Sequence, residues 1–206
     1  MDLTGATRLL DIGTGTGLLA LMAAQRHATV EIEAIEIEAA AAIQAAANVA
    51  ASPWGGRIHV AALSLAQYAA SRPSPFSHII CNPPFFHQAL PSANAARSTA
   101  RHEGATSLSF GEIAVFAAQF LEPAGQLTVL LPPSEMQLFA TEAETAGLFP
   151  QTRLVVRHRL GGRVTRHISC FGCAATTVVE TALLINAGDE YSAEFRALLT
   201  GFYLAL

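Results

Sequence analysis

The chain has 206 residues, enough for one α/β domain with a buried core and slightly short for two. Apolar residues make up 51% of it, yet alanine supplies much of that share and no run reaches the roughly 18 to 20 apolar residues of a membrane span. The net charge of −4 argues against a protein that coats nucleic acid with its whole surface. We therefore expect a soluble, cytoplasmic, monomeric protein with a single domain, residues 1–206, and no signal peptide.

The first predicted element is a buried strand, residues 9–12, that leads into a glycine-rich turn and then a helix, residues 18–27. The turn has the spacing Asp11-x-Gly13-x-Gly15-x-Gly17, which differs from the G-x-G-x-x-G of dinucleotide-binding proteins. Glycines allow positive φ and a close approach of the backbone to a ligand. A turn of this kind at the carboxyl end of a parallel strand is typical of nucleotide-like ligands. The alternative is a purely structural turn.

A second acid follows the next predicted strand, residues 29–37. Glu36 lies close to the carboxyl end of this strand, about 20 residues after the glycine turn, where nucleotide-binding α/β folds place an acid that accepts both ribose hydroxyls. A solvated acid at a helix start, beside Glu38, is the alternative. An alanine-rich helix over residues 38–51 ends at Ser52-Pro53, and residues 57–62 form a third predicted strand.

The most specific motif follows the fourth predicted strand, residues 76–81, and runs Asn82-Pro83-Pro84-Phe85-Phe86. Two consecutive prolines prevent continued pairing, so the backbone leaves the sheet extended with its carbonyls free. The Asn82 amide oxygen and the Pro83 carbonyl can accept both hydrogens of a planar primary amine, while Phe85 stacks on the attached ring. This arrangement favours a pyramidal nitrogen whose lone pair can attack an electrophile held beside it. A turn that only ends the strand is the alternative.

These motifs, together with Ser52-Pro53-Trp54 and the ending Phe202-Tyr203-Leu204, resemble the bacterial tRNA1(Val) adenine-N6 methyltransferase family over nearly the whole chain. The resemblance implies a class I, Rossmann-like α/β fold, a mostly parallel seven-stranded sheet with a C-terminal antiparallel hairpin. It implies S-adenosylmethionine (SAM) as cofactor, tRNA as partner and the catalytic residues Asn82, Pro83 and Phe85. The residues that match the family's cofactor site are Asp11, Gly13, Thr14, Gly15, Gly17, Glu36, Ile37, Ser64, Leu65 and Asn82.

The chain departs from the family pattern in three places. Phe85 replaces the usual Tyr, which keeps the stacking face and loses a hydroxyl. Ser64 replaces an acid near the adenine amino group of the cofactor, which predicts weaker binding at that end. The sequence also starts about thirty to forty residues later than expected of the family.

The positive charge of the chain is concentrated near its C-terminal end. All 12 basic residues are arginines, and Arg153, Arg157, Arg159, Arg163 and Arg166 lie in a segment without acids. We predict two long strands, residues 151–159 and 177–185, as the antiparallel hairpin, separated by a basic loop, residues 160–173. Such a patch is typical of a phosphate-contacting surface; a solvated arginine face is the alternative.

A loop over residues 91–109 is the second candidate region for RNA. It carries two more arginines beside the aromatic motif, where a lid or a nucleotide contact would lie. The predicted RNA contacts are therefore Phe86, Arg97, Arg101, Arg157, Arg159, Arg163 and Arg166.

Three functions remain open at this stage. The first is methylation of an adenine amino group in tRNA. The second is methylation of a protein glutamine, whose carboxamide fits the same two acceptors. The third is a non-catalytic RNA-binding protein that kept the fold. We expect no metal site: Cys170-x-x-Cys173 would need two further ligands, and binding with the nearby His158 and His167 is the minor alternative.

Overall fold

A computed structural model describes residues 3–83 and 108–203 of the chain. Phe85, Phe86, Arg97 and Arg101 lie outside the described residues. Within them, eight strands form one sheet in the order β3-β2-β1-β4-β5-β7-β6-β8. These strands are β1 Arg8–Ile12, β2 Glu31–Ile35, β3 Ile58–Ala61, β4 Phe76–Cys81, β5 Leu121–Leu131, β6 Phe149–Arg157, β7 Val164–Gly172 and β8 Val179–Leu184.

The helices cover both faces of this sheet. They are α1 Leu18–Arg26, α2 Ala39–Ala50, α3 Leu65–Ala70, α4 Phe110–Phe120, α5 Pro133–Thr145 and α6 Ala193–Leu199, with a 3-10 turn at Gly55–Arg57. A two-stranded hairpin, β9 Asn186–Ala187 and β10 Glu190–Tyr191, precedes α6. No helix among the described ranges is both long enough and apolar enough to cross a bilayer.

The core is divided into two layers by the alternation of side chains along the central strands. Leu9 of β1 packs with α1 and α2, whereas its neighbour Leu10 packs with α3, α4 and α5. In β4 the same alternation separates Ile80 from Ile79. A strand buried on both faces is hydrophobic at consecutive positions, which explains the continuous apolar pattern that predicted these strands.

The small side chains of α2 let it pack tightly against the sheet. Ala42, Ala45 and Val49 are its buried residues.

Helix α1 is held by an arginine from the 3-10 turn that follows α2. The Arg57 guanidinium donates to the carbonyls of Ala24 and Val30 at 3.0 and 2.7 Å. It thereby satisfies a carbonyl at the C-terminal end of α1 that the helix itself leaves unpaired.

The expected fold class is confirmed, but the strand count and the pairing near the C-terminus differ. The sheet has eight strands rather than seven, because residues 164–172 form β7 instead of a loop. This strand lies between β5 and β6 and is antiparallel to both. The two strands predicted as an antiparallel hairpin correspond to β6 and β8, and they pair in parallel. The observed hairpin is β6–β7, closed by a short turn at residues 158–163.

The last two helices begin in different ways. Helix α5 begins at Pro133, so Ser134 lies inside its first turn and does not cap it. Helix α6 is capped by Ser192, whose hydroxyl accepts a hydrogen bond from Phe195 N at 3.1 Å. None of its residues is fully buried.

The strand directions place two separate regions at one rim of the sheet. Strands β1, β2, β4 and β5 are parallel, so the glycine turn and Asn82 both lie beyond carboxyl ends. Because β7 is antiparallel to β5, it starts at this same rim, where Leu131 of β5 pairs with His167. The turn between β6 and β7 therefore lies on the rim that carries the glycine turn.

Candidate functional site

The glycine turn, residues 13–17, is held against the end of β2. The amides of Gly13 and Thr14 both donate to the Ile35 carbonyl, at 2.9 and 3.0 Å. Gly13 and Gly15 adopt positive φ, and a Cβ added at either would meet nothing within 4 Å. Backbone conformation therefore explains the glycines, and the space beside them is open to a ligand.

Gly17 serves a different purpose from the other two glycines of the turn. It also has positive φ, but a Cβ there would lie 3.4 Å from Ala45 of α2. Gly17 is the N-cap of α1, so it allows α1 to start close to α2. It contributes to packing rather than to the open surface.

Asp11 is a buried acid at the end of β1, with only 1% of its surface exposed. Its Oδ2 accepts a hydrogen bond from the Thr14 hydroxyl at 2.6 Å, whereas Oδ1 has no hydrogen-bond partner within residues 3–83 and 108–203. Burial raises the pKa of Asp11 from 3.8 to about 6, the neighbouring Glu36 charge adds to the rise, and interactions with the Thr14 hydroxyl and the Ala20 backbone amide partly oppose it. A buried carboxylate oxygen without a donor fits a ligand that carries a positive charge.

Glu36 lies directly against the glycine turn. Its two carboxylate oxygens accept from the Gly15 and Glu38 amides, each at 2.9 Å. The side chain is half-buried, and the residue follows β2 by one position. Glu36 therefore holds the turn in place while it presents acceptor oxygens at the rim, where a pair of hydroxyls could replace the amides.

Asn82 lies next to the glycine turn on the neighbouring strand. In the register of β1 and β4, Ile12 pairs with Cys81, so Gly13 and Asn82 are the next residues on two parallel strands about 5 Å apart. Asn82 is exposed and Pro83 is buried. The structure thus brings together the start of the glycine turn and the start of the Asn-Pro-Pro motif.

The remaining residues predicted for the cofactor lie in varied environments. Ile37 follows Glu36 with 56% of its surface exposed. Ser64 is the N-cap of α3: its hydroxyl accepts from Gln67 N at 3.1 Å, and its amide donates to the Gln67 side chain at 2.9 Å. Leu65 is buried in the core, so only its backbone is available at the rim.

Sequence reasoning missed a residue that supports the turn from α2. The Asn48 side-chain amide donates to the Thr16 carbonyl at 2.9 Å and accepts from Gln44 at 3.0 Å. A single asparagine in an otherwise alanine-rich helix is the signal that could have indicated it. Its hydrogen bond fixes the half of the turn that Glu36 does not reach.

The arginines predicted for RNA lie along the hairpin at the other end of the rim. Arg159 and Arg163 are exposed, while Arg157 and Arg166 are half-buried and donate to backbone carbonyls. Arg153 is farther down β6 and pairs with Glu180 at 3.5 Å. We call residues 157–166 the arginine hairpin.

The two clustered cysteines make no metal site with other described side chains. Cys170 contacts the Thr128 hydroxyl at 3.3 Å, and Cys173 is exposed. In the described ranges, no group of three or more His, Cys, Asp or Glu side chains is close enough to hold a metal ion.

Comparison with known proteins identifies the family. Residues 1–137 match the model of the methyltransferase small domain. The tRNA1(Val) (adenine(37)-N6)-methyltransferase of Pseudoalteromonas translucida is 38% identical over 100% of this chain and 87% of its own length. The enzyme of the same name from Bacteroides fragilis strain YCH46 is 37% identical over 98% of this chain and 84% of its own length.

Solved structures share the fold at much lower identity. A predicted O-methyltransferase from Agrobacterium tumefaciens has a TM-score of 0.68 at 19% identity and covers 93% of this chain and 88% of its own. A putative RNA methyltransferase from Pyrococcus horikoshii has a TM-score of 0.57 at 18% identity, with 82% and 73% covered. The fold, the matched domain and the near full-length relatives together show that the chain belongs to the tRNA1(Val) adenine-N6 methyltransferase family.

Proposed function

We propose that this protein transfers the methyl group of SAM to the exocyclic nitrogen of an adenine in tRNA, with adenine 37 of tRNA1(Val) as the target. The observation that carries the proposal is the register of β1 and β4, which sets Gly13 beside Asn82. A methyl donor in the glycine turn and an amine at Asn82 are then neighbours. Proximity of this kind accounts for much of the rate of a group transfer.

The cofactor-binding role of the glycine turn is supported by the charge of its surroundings. SAM is cationic at its sulfur and its ammonium group, and Asp11 and Glu36 are both acids at this end of the rim. The negative charge of buried Asp11 suits the ammonium group at short range, and the two oxygens of Glu36 suit the ribose hydroxyls. Ile37, exposed beside Glu36, offers an apolar surface for the adenine ring.

The adenine end of the cofactor finds a weaker partner at Ser64. Because the Ser64 hydroxyl already accepts from Gln67 N, it contributes its own proton as a donor rather than a charged acceptor. It can therefore donate to a ring nitrogen but does not replace a carboxylate as acceptor for the amino group. We propose that Glu36 and Asp11 supply most of the cofactor affinity.

The acceptor side needs little acid–base strength. An adenine amino nitrogen is a poor nucleophile because its lone pair is delocalised into the ring. The Asn82 amide oxygen and the Pro83 carbonyl accept its two hydrogens, which favours a pyramidal nitrogen with its lone pair directed at the neighbouring glycine turn. Bound SAM supplies an electrophilic methyl on a sulfonium. We assign the stacking role to Phe85, as the sequence motif predicts.

Nucleic acid as the substrate is supported by the arginine hairpin on the same rim. A phosphate chain entering the site would pass cations that lie outside the acidic cofactor region. The site at Asn82 can admit a base only if the base is unpaired or flipped out of a helix. RNA presents such bases in loops. The protein would meet tRNA in the cytoplasm, and we propose that it acts there as a monomer.

The experiment that tests this function combines SAM binding with product identification. Wild-type protein, SAM and tRNA from cells lacking the modification are incubated, and the nucleosides are identified by mass spectrometry. We expect N6-methyladenosine at position 37 of tRNA1(Val). Folded protein that binds SAM but methylates a protein glutamine instead would replace this proposal, and folded protein that binds no SAM would exclude both enzymes.

A further inference from the structure

The turn of the arginine hairpin carries an exposed leucine that packing does not explain. Leu160 is 84% exposed, the highest value for a large apolar side chain in the described ranges. Its neighbours along the chain are Arg159 and Gly161, neither of which has an apolar side chain that could cover it. A leucine in this position costs solvation free energy unless a partner covers it.

The turn holds this leucine in a defined position. The Gly162 amide donates to the Arg159 carbonyl at 3.0 Å, and Gly161 has a φ of +70°. This hydrogen bond and this φ are those of a type II turn, with Leu160 at its first central position. A Cβ at Gly162 would lie 2.9 Å from the Arg159 carbonyl oxygen. Both glycines are therefore needed for the tight turn that projects Leu160 outward.

Hydrogen bonds on both sides make the turn rigid. The Arg157 guanidinium donates across the hairpin to the Gly162 carbonyl at 2.7 Å. On the outer side, the Ile185 and Asn186 amides donate to the carbonyls of Arg157 and His158, at 2.9 and 2.8 Å. The exposure of Leu160 therefore belongs to an ordered element. Arg157 is a positioning residue of this turn.

The charge around Leu160 favours one class of partner. Arg159 and Arg163 flank it, both exposed, with no ion pair or side-chain hydrogen bond to any residue that the structure describes. No acid occurs between residues 145 and 179. An apolar side chain between two unpaired guanidinium groups is suited to a nucleotide, where an apolar wedge contacts a base and cations contact the phosphates.

We propose that the tip of the arginine hairpin binds the substrate RNA several nucleotides from the target, with Leu160 against an unpaired base and Arg159 and Arg163 on the adjoining phosphates. This inference rests on the proposed function, in which tRNA is the substrate.

Strands β4 and β7 are separated by β5 alone, so they lie about 10 Å apart across the sheet. Cys81 is level with Ser169 through Val129, and β7 continues five residues, about 17 Å, from Ser169 to Val164 at the tip. The tip is therefore about 20 Å from Asn82, which equals about six stacked nucleotides at 3.4 Å each.

The test compares three variants of the full chain for tRNA affinity at several salt concentrations. R159A/R163A removes both cations, L160A removes the apolar tip, and L138A is the matched control, since Leu138 is 62% exposed on α5. We expect the double variant to lower the slope of log affinity against log salt by about 2. L160A should weaken binding about tenfold at every salt concentration without changing that slope. L138A should match the wild type.

Each other result overturns a stated part of the proposal. Wild-type affinity in both hairpin variants would exclude the tip as an RNA contact. Wild-type affinity in L160A alone would leave only phosphate contacts and remove the role of the leucine. If L160A instead loses binding to phosphatidylglycerol vesicles while tRNA binding is unchanged, the tip is a membrane contact and not an RNA contact.

Two measurements on the same samples separate failure of the tip from failure of the proposed function. SAM affinity by calorimetry should be equal in all three variants and the wild type, which shows that the fold is intact. Methylation of tRNA by the wild type is scored independently. If the wild type methylates tRNA and the hairpin variants do so with equal kcat/KM, only the inference about the tip fails.

Discussion

The glycine turn and the arginine hairpin lie on the same rim of one sheet but differ in the sign of their charge and in the burial of their charged side chains. At the first, Asp11 is buried and Glu36 half-buried, and both accept hydrogen bonds from the turn. At the second, Arg159 and Arg163 are exposed and unpaired in the described structure. On the proposed function, the first region holds a small ligand at short range and the second attracts a large anion from solution.

This difference shows why the net charge of the chain is a poor guide to its partners. A protein of charge −4 can still bind a polyanion, provided that its cations are collected at one place on the surface. Exposed charges are screened by salt, whereas a buried carboxylate that contacts its ligand is screened much less. The two regions should therefore respond differently to salt, to pH and to mutation.

Substitution of Asn82 should have the largest effect, because this residue is proposed to hold the reacting amine beside the glycine turn. We expect N82A to lower kcat for tRNA methylation by about a hundredfold to a thousandfold, since it removes one of two acceptors for the reacting amine. SAM affinity and tRNA affinity should each change by less than about threefold. Single-turnover kinetics with unmodified tRNA measures the rate of methylation, and calorimetry measures the affinities for SAM and tRNA.

A second variant guards against a trivial loss of structure. Asn82 is exposed, so N82A leaves no cavity, and its melting temperature should equal that of the wild type. N82D retains an acceptor oxygen and should keep more activity than N82A. Equal turnover by N82A and the wild type would remove Asn82 from the catalytic role.

Glu36 should separate cofactor binding from RNA binding most clearly. We expect E36A to weaken SAM binding by about tenfold to a hundredfold, because both acceptors for the ribose hydroxyls are lost along with the tether to Gly15. The affinity for tRNA and its salt dependence should be unchanged. E36Q keeps one acceptor oxygen, so its SAM affinity should lie between those of E36A and the wild type. A parallel loss of tRNA affinity in E36A would show that the two regions are coupled.

The sequence predicted the strands around the glycine turn better than those of the hairpin, for a physical reason. Gly13, Glu36 and Asn82 each follow a strand whose last residues are mostly apolar, and parallel strands bring their carboxyl ends to one edge of the sheet. Strand β7 was predicted as a loop because Arg166 and His167 interrupt its apolar pattern. It is a strand because it pairs with β5 and β6 on both sides, which local sequence does not reveal.

Supporting contacts were also beyond sequence reasoning. The hydrogen bond from Asn48 to the glycine turn depends on how α2 packs against that turn. Likewise, the sequence does not reveal that Gln67 forms hydrogen bonds with both the hydroxyl and the amide of Ser64, which makes Ser64 a helix cap. Motifs predict which residues reach the rim, but the tertiary packing decides which of their atoms remain free for a ligand.

The pH dependence of SAM binding tests the role of Asp11, the buried acid beside the glycine turn. With a pKa of about 6, Asp11 is almost fully ionised at pH 7.5 and about one-tenth ionised at pH 5. If the ionised carboxylate contacts the ammonium group, SAM affinity should fall about tenfold over this range. Calorimetry of the wild type and D11N at both pH values measures it. If the SAM affinity of D11N keeps the full pH dependence, another group causes the effect.

The same shift predicts the sign of an effect on stability. The folded-state pKa of Asp11 is raised above its unfolded value of 3.8, so the folded state holds this proton more tightly. Asp11 therefore costs no stability below about pH 4, and its cost grows between pH 4 and pH 6 as the unfolded chain loses the proton first. Without SAM, D11N should be more stable than the wild type at pH 7.5, by at most about 3 kcal/mol, and should show no such gain at pH 4. Urea denaturation at both values measures this difference.

Substitution of Ser64 should have the smallest effect, and it should strengthen binding. Aspartate is as good an N-cap as serine, so S64D should keep the hydrogen bond from Gln67 N and the start of α3. It adds a charged acceptor for the adenine amino group of SAM, and we expect SAM affinity to rise about threefold to tenfold.

S64N is the matched control, because asparagine also caps the helix but adds no charge. A gain in S64D without one in S64N, at constant tRNA affinity, would place the adenine of the cofactor beside Ser64. Equal SAM affinity in all three proteins would place it elsewhere on the rim.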